Sequence, residues 1–257
     1  MSERRGSLPM LRVATYNVRA CLGIDGRRSE ARIAEVIAEL SADIVGLQEL
    51  DLRRQRSAGT DQTRVIAEQL GWHHSFHAAM QDEHEHYGDA IVSRYPITVR
   101  HAAELTARAP WYCRESRAAA WVEVETELGA VDVINTHFGL ARRERLAQAK
   151  LLTSEAWLGA IDPRRPIILL GDLNGLPHSA PHRLLTQHLS DVRALVGSSW
   201  RFPTFPTRFP LLAVDHIFVN DALEVTALEV HRTRLSRLAS DHFPLVADLA
   251  RKTATVK

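Results

Sequence analysis

Short apolar runs alternate with amphipathic stretches along most of this chain. Leu11 to Tyr16 reads as a buried strand. After a Gly/Asp/Arg loop, Ser29 is placed to cap a helix whose Ile33, Val36, Ile37 and Leu40 fall on one face. Asp43 to Gln48 predicts a second strand, ending at Glu49, and Asp61 to Leu70 a second helix stopped by Gly71. Strand patterns follow at Asp89–Ser93, Ile97–His101, Ala118–Glu125 and Ala130–Asn135. A long helix is expected from Ala141 to Gly159, with Leu146, Ala149, Leu152 and Ala156 on its apolar face, and then a strand from Pro166 to Leu170. A Pro- and aromatic-rich connection, Trp200 to Pro210, reads as an extended, ordered loop. The final third carries strand patterns at Val214–Val219, Leu223–His231 and Phe243–Leu249, with the basic stretch His231–Arg237 expected as a solvated loop.

The order strand, polar residue, helix, strand, polar residue occurs twice. Asn17 and Glu49 are separated by 32 positions in the first copy, His137 and Asp172 by 35 in the second. Each unit implies two neighbouring strands with a helix on one face. Two such units packed sheet against sheet predict an α/β, four-layered sandwich: two packed mixed sheets flanked by helices. Residues 11–250 read as a single domain, 1–10 as a flexible N-terminus and 251–257 as a C-terminal tail.

Composition narrows the class only a little. A chain of 257 residues with 45% hydrophobic and 25% charged residues is an ordinary globular protein with material for a large core. The net charge of +1 selects no partner, and the excess of arginine (3 of 32 basic residues are lysine) fits codon bias better than phosphate recognition. Two cysteines, Cys21 and Cys113, suit a reducing compartment and free thiols. No apolar run approaches the ~18 residues of a membrane span, and no apolar stretch follows the charged N-terminus. A cytoplasmic protein without an obligate protein partner is the expectation.

Chemistry enters at the strand ends. Asn17, Glu49, the Gly171-Asp172-Leu173-Asn174 segment and Ser240-Asp241-His242 each adjoin an apolar run. Hard divalent cations need oxygen ligands converging from rigid elements, and such a set provides them. An ordinary salt bridge from Glu49 to Arg53 or Arg54 is the alternative for that residue alone.

Seven segments in order, TYN (15–17), LQE (47–49), YGDAIVSRYPI (87–97), INTHFG (134–139), GDLN (171–174), VDHIFV (214–219) and SDHFPLVADL (240–249), resemble the endonuclease/exonuclease/phosphatase superfamily of deoxyribonuclease-like hydrolases. The resemblance implies an enzyme, a metal-dependent phosphoesterase, most simply an endo- or exonuclease-type phosphodiester hydrolase. It implies Mg2+, with Mn2+ as the other candidate cation. Glu49, Asn17 and Asp241 match its metal shell, His242 the imidazole at the scissile phosphate, and Asp215 the acid that orients it. Asp172 and Asn174 match the pair that positions water and a phosphate oxygen, and His137 matches a second imidazole. Arg117, Tyr87 and Asp89 match its phosphate-facing positions. Which imidazole is acid and which base stays open at this level, as does the number of metals. A phosphodiesterase or phosphatase acting on a lipid headgroup or small metabolite is the alternative, and a non-catalytic binding module the minor one. The expected partner is a phosphodiester, nucleic acid among the candidates.

Departures from the family pattern bear on substrate rather than chemistry. Asp89 stands where relatives often carry Asn, and an acid balanced by a nearby arginine is the expectation there. Arg19 and His216 also depart. Cys21 lies near Asn17 without the setting of a nucleophile. Glu83-His84-Glu85-His86 reads as a solvated patch, and His73, His74 and His77 as structural imidazoles on or near a strand.

Overall fold

The computed structural model describes residues 9–82, 85–105, 115–197 and 202–252. Cys113, Glu83, His84, Trp200 and Arg201 lie outside them, as do both chain ends.

Twelve strands form two six-stranded sheets among the described residues. In the first sheet, β1 (Met10–Asn17) pairs in parallel with β2 (Ile44–Leu52) through the crossover helix α1 (Glu30–Leu40). Ser29 caps α1 by accepting from Arg32 N, and its buried stripe is Ile33, Val36, Ile37 and Leu40, joined by Ala34. Helix α2 (Gln62–Leu70), capped by Asp61 and closed by Gly71 at φ +69°, packs beside α1 on the same face. Strands β3 (His73–Asp82) and β4 (Glu85–Ser93) complete one edge of this sheet.

The second sheet begins with β5 (Ile97–Glu104) and β6 (Ala118–Thr126), then repeats the parallel unit in β7 (Gly129–His137), α3 (Arg142–Leu152) and β8 (Ile167–Asp172). The short elements α4 (Ala180–Leu185), β9 (Ser190–Asp191) and α5 (Val192–Leu195) lead to β10 (Asp215–Val219), antiparallel to β8. The chain then returns to the first sheet as β11 (Leu223–Val230), α6 (Arg234–Ala239) and β12 (Leu245–Arg251), with β12 antiparallel to β1.

Alternation along the strands sorts side chains into three cores. Val13, Ile44, Ile91 and Leu245 of one sheet meet Val122, Val133, Ile168 and Ile217 of the other between the sheets. Ala14, Val45, Leu47 and Ala90 face α1 and α2, while Ile134, Leu169 and Phe218 face α3 and α4. This is the four-layered sandwich expected from the doubled unit. Each fully buried Val, Leu or Ile contributes about 1.5–3 kcal/mol.

Four expectations need correction. First, α3 stops at Leu152, where Thr153 and Ser154 hydroxyls bond the carbonyls of Ala149 and Leu151. Ala156 is exposed, and Trp157 turns back into the core. Second, the basic stretch is partly helical. Thr233 and Ser236 cap α6 reciprocally, each side chain accepting from the other's backbone N–H. Third, β2 does not end at Glu49 but continues to Leu52. Three steps from Leu47 to Leu50 span only two on β4, from Ala90 to Gly88, so β2 carries one extra residue there. Glu49 takes φ +64° at this bulge. Fourth, Asp89 forms no ion pair with an arginine among the described residues, as described below.

The bulge is plugged from the opposite sheet. Asn135 of β7 donates to the carbonyls of Leu47 (3.1 Å) and Ala90 (2.9 Å), and its Oδ1 accepts from Gln48 Nε2 at 2.8 Å. Gly46 makes room for it, since a Cβ there would lie 2.7 Å from Asn135 Oδ1. A polar bridge thus spans the two sheets just below the strand ends.

Candidate active site

Because β1 and β2 run in parallel, as do β7 and β8, their C-terminal ends share one rim, and the antiparallel β10 and β12 begin there. Asn17 closes β1, His137 closes β7 and Asp172 closes β8, while Asp215 opens β10 directly opposite Asp172. Gly171 lets β8 approach β7 at this point, since a Cβ would fall 2.0 Å from Thr136 O.

Asn17 links the two halves of the molecule. Its Nδ2 donates to Glu49 Oε1 at 2.9 Å and to Asp172 Oδ2 at 3.0 Å. Glu49 is partly exposed, yet lost hydration raises its pKa, with the Asn17 hydrogen bond opposing. Among the described residues it has no ion pair: of the two candidate partners, Arg53 forms none and Arg54 lies 3.8 Å from Glu85, while Arg56 grips the buried Asp51 at 2.7 Å. The salt-bridge alternative for Glu49 therefore fails.

Asp89 lies beneath it. Oδ1 accepts from Glu49 N at 3.3 Å, satisfying an N–H freed by the bulge, while Oδ2 is buried without a partner among the described residues. Burial raises its pKa to about 8, and Arg117 only tempers the rise. Tyr87, two residues earlier on β4, is buried and lies beneath the guanidinium groups of Arg54 and Arg56.

The two imidazoles differ in charge. His242 Nδ1 is 2.9 Å from Asp215 Oδ2, which also accepts from the Thr204 hydroxyl. Burial disfavours the cation, but Asp215, Asp172 and Asp241 outweigh it and lift the His242 pKa to about 10. His137 is the reverse. Its Nδ1 meets Arg117 Nη1 at 2.9 Å, and a guanidinium can only donate. Nε2 lies 3.0 Å from the Asn174 amide nitrogen, a second donor, and 3.6 Å from Asp172 Oδ2. Burial, Arg117 and His242 hold the His137 pKa well below its ordinary value. So one imidazole is held cationic and the other neutral.

Asp172 stands between them. Its Oδ2 lies 3.8 Å from His242 Nε2, and its Oδ1 accepts from Asn174 N at 2.8 Å. Burial, then Asp215, raise its pKa to about 7. Asn174, at φ +46°, also donates to Phe138 O. Arg117 is buried, with its other arm on Glu115 at 2.7 Å. Asp241 is set apart from this cluster: its carboxylate pairs with Arg19 Nε at 3.4 Å, and Arg19 follows from a turn in which residues 19–21 all have positive φ.

Several supporting residues were not singled out from sequence. Ser240 Oγ donates to Asn17 O at 2.8 Å and so ties the β12 entry to the β1 exit. Thr204 and Phe205, inside the flagged Pro-aromatic run, fix Asp215 and stack on His242, with ring centroids 4.6 Å apart in the second case. Arg193 is wholly buried and donates to the Asp215 backbone carbonyl at 2.6 Å; nothing in the sequence marks it. His216 is buried and points away from the cleft into a second cluster. There Asp191 accepts from His182 Nε2 at 2.8 Å, and His216 donates from Nε2 to Gly175 O at 2.8 Å. Its departure from the family pattern thus concerns packing behind β10 rather than substrate. Cys21 is buried with its thiol pKa pushed well up by burial, and His73 and His74 are exposed while His77 is buried and held near 3 by burial.

A divalent cation fits the Glu49 side of the cleft. Its donors are oxygens, and neither the Glu49 carboxylate nor the buried Asp89 Oδ2 has an ion-pair partner among the described residues.

Comparison with known proteins agrees with this architecture. A model described as "Endonuclease/Exonuclease/phosphatase family" matches residues 14–242. Protein YbhP of Escherichia coli strain K12 is 26% identical over 226 residues, covering 84% of this chain and 87% of YbhP. The crystal structure of an endonuclease/exonuclease/phosphatase from Beutenbergia cavernae superposes with a TM-score of 0.77 at 24% identity, over 96% of this chain and 73% of that one. The Bacteroides thetaiotaomicron mannosyl-6-phosphatase Bt3783 superposes with a TM-score of 0.71 at 22% identity, over 93% and 99%. At these identities the two structures speak for the fold.

Proposed function

Since the chain belongs to the endonuclease/exonuclease/phosphatase family, we propose that it is a divalent-metal-dependent hydrolase of phosphodiesters. The observation that carries this reading is the pairing, in one cleft, of an unneutralised Glu49 with a His242 held cationic by Asp215. Glu49 and Asn17 would hold the cation, Mg2+ or Mn2+, which when bound supplies charge neutralisation at a phosphoryl oxygen. Asp241, paired with Arg19 at the rim, would join them only by parting from that arginine.

The chain's own groups divide the remaining work. His242 donates from Nε2 to a non-bridging or departing oxygen as negative charge develops, and Asp215 keeps that nitrogen aimed into the cleft by holding Nδ1. Asp172, with a pKa near 7, is ionised in an appreciable fraction at neutral pH and accepts a proton from the attacking water. His137, held neutral by burial and by Arg117 beside it, serves as a polar rather than a charged neighbour of the substrate. Asn174 is anchored through its own amide to Phe138 O and holds the water or a phosphate oxygen.

A soluble diester, bis(p-nitrophenyl) phosphate, tests the chemistry without presuming a natural substrate. Purified protein with Mg2+ or Mn2+ should release nitrophenolate, EDTA should stop it, and Glu49→Gln should lower it at least about 100-fold. Turnover that survives EDTA, or a Glu49→Gln rate near wild type, would sink the proposal. Nicking of supercoiled plasmid under the same conditions then asks whether nucleic acid is a substrate.

A further inference from the structure

Ten large apolar side chains are exposed among the described residues, and six of them lie in the connections that leave or enter strands at the cleft rim: Leu140, Leu176, Phe209, Leu211, Leu212 and Leu238. They come from four separate segments. Leu140 lies three residues past His137, Leu176 two past Asn174, and Leu238 three before Asp241, while Phe209 to Leu212 project between Thr204 and Asp215. Single exposed apolar residues are ordinary on a protein surface; a collection on one rim is not.

The projecting loop is pinned rather than trailing. Phe205 and Leu212 exchange backbone hydrogen bonds of 3.0 and 2.8 Å. Thr207 donates from its N–H to Asp241 O at 2.8 Å and from its hydroxyl to Ser240 O at 3.1 Å. Arg237 of α6 donates to Thr207 O at 2.8 Å. Held on the Ser240–His242 segment this firmly, the loop still leaves Phe209 75% and Leu211 79% exposed at its tip. Neither residue serves the packing of the chain.

Charge accompanies the apolar groups. Arg208 adjoins Phe209, Arg142 and Arg143 follow Leu140, and Arg234 lies one helical turn before Arg237. All four are exposed, and their side chains make no ion pair or hydrogen bond among the described residues. Apolar tips interleaved with unpaired cations complement one kind of surface, an anionic phospholipid layer, into which the leucines dip while the guanidinium groups meet phosphates. Five of the six apolar residues are leucine, which neither stacks on bases nor bonds phosphate, so a nucleic acid strand fits this rim less well.

We propose that the rim of the cleft docks on an anionic phospholipid surface and that the hydrolysed phosphoester belongs to an amphiphile in that surface, which rests on the hydrolase reading above. The full chain should co-sediment with vesicles of phosphatidylcholine and phosphatidylserine, and less with phosphatidylcholine alone. The double variant Phe209→Ser/Leu211→Ser should lower that partitioning at least about 10-fold with an unchanged circular dichroism melt. Val99→Ser, which removes an apolar residue 52% exposed on β5, should bind as wild type does. Absence of vesicle binding by the wild type, or undiminished binding by the double variant, overturns the proposal. So does a loss of duplex DNA binding in the double variant as large as its loss of vesicle binding. Assay of the wild type on bis(p-nitrophenyl) phosphate separates the two readings. Hydrolysis without vesicle binding removes the docking surface alone; vesicle binding without hydrolysis keeps it and removes the hydrolase.

Discussion

Two buried clusters among the described residues bring carboxylate and imidazole groups within reach of a common metal ion: Asp172, Asp215 and His242 in the cleft, and His182, Asp191 and His216 behind β10. By burial and residue type they look alike. Their hydrogen bonds tell them apart. In the second cluster Asp191 Oδ1 accepts from Arg193 N, Oδ2 accepts from His182, and His182 Nδ1 accepts from His178 N. His216 spends Nε2 on Gly175 O and lies with Nδ1 3.3 Å from Arg193 Nη1. Every ring nitrogen and carboxylate oxygen there is committed, and the one open polar atom is the Arg193 Nε, a cationic group that binds no metal. Around the cleft Asp89 Oδ2 and Asp215 Oδ1 are buried without partners, and Asp89 and Asp172 have pKa values lifted well above the usual carboxylate range, first by burial. A satisfied buried network stabilises a fold; an unsatisfied one is kept for a ligand.

That contrast can be broken by mutation. The largest effect should come from His242→Ala, with hydrolysis of a soluble diester falling about 100-fold to 10000-fold while thermal stability changes little. Mg2+ binding by calorimetry should be lost in Glu49→Gln and retained in Asp191→Asn; the opposite pattern would place the metal behind β10. Asp191→Ala should act on stability instead, costing about 3–5 kcal/mol because the buried Arg193 loses its counter-charge, with activity per folded molecule within about tenfold of wild type. A urea titration beside an active-fraction assay reads both.

Smaller effects sharpen the comparison. Asp89→Asn in metal-free protein should add on the order of 2 kcal/mol at pH 7. The folded pKa of Asp89, about 8, exceeds its unfolded value, so wild type loses stability as pH climbs from about 4 to about 8. The gain from Asn should therefore vanish near pH 4 and level off above pH 8. A gain independent of pH would mean that Asp89 is not the titrating group. Thr204→Val, which removes the hydroxyl donor to Asp215, should cost about 1 kcal/mol and lower the apparent pKa of His242 by less than Asp215→Asn does, as followed by NMR titration.

The doubled strand-helix-strand unit was legible because its signals are local: apolar period, the Ser29 and Asp61 caps, and Gly71. The polar strand ends were legible for a related reason, since a carboxylate or amide beside an apolar run is conspicuous wherever the run leads. What stayed hidden depends on partners distant in sequence. Asn135 reads as one more residue of a strand until the sheets are stacked and it is found bonding Leu47 and Ala90. His216 reads as bearing on substrate because it departs from the family pattern, yet neighbours on a strand point to opposite faces and it turns away from the side that Asp215 occupies. The end of α3 and the start of α6 were missed at hydroxyl caps, where Thr and Ser side chains compete with the backbone more subtly than Gly or Pro.

The extra residue in β2 sets the parity of the whole strand. Leu47 and Leu50 both belong to the core under α1 and α2, although an odd number of steps separates them. Only a strand one count longer than its partner can keep both leucines inward and still turn Gln48 and Glu49 away from the helices. Removing a single residue between Leu47 and Leu50 would restore an unbroken ladder and leave the apolar core intact. It would also take the candidate acid out of the bulge, by deleting Glu49 itself or, if Gln48 goes, by setting Glu49 in its regular place. In this chain the regular sheet and the working site are alternative frames of the same strand, one residue apart.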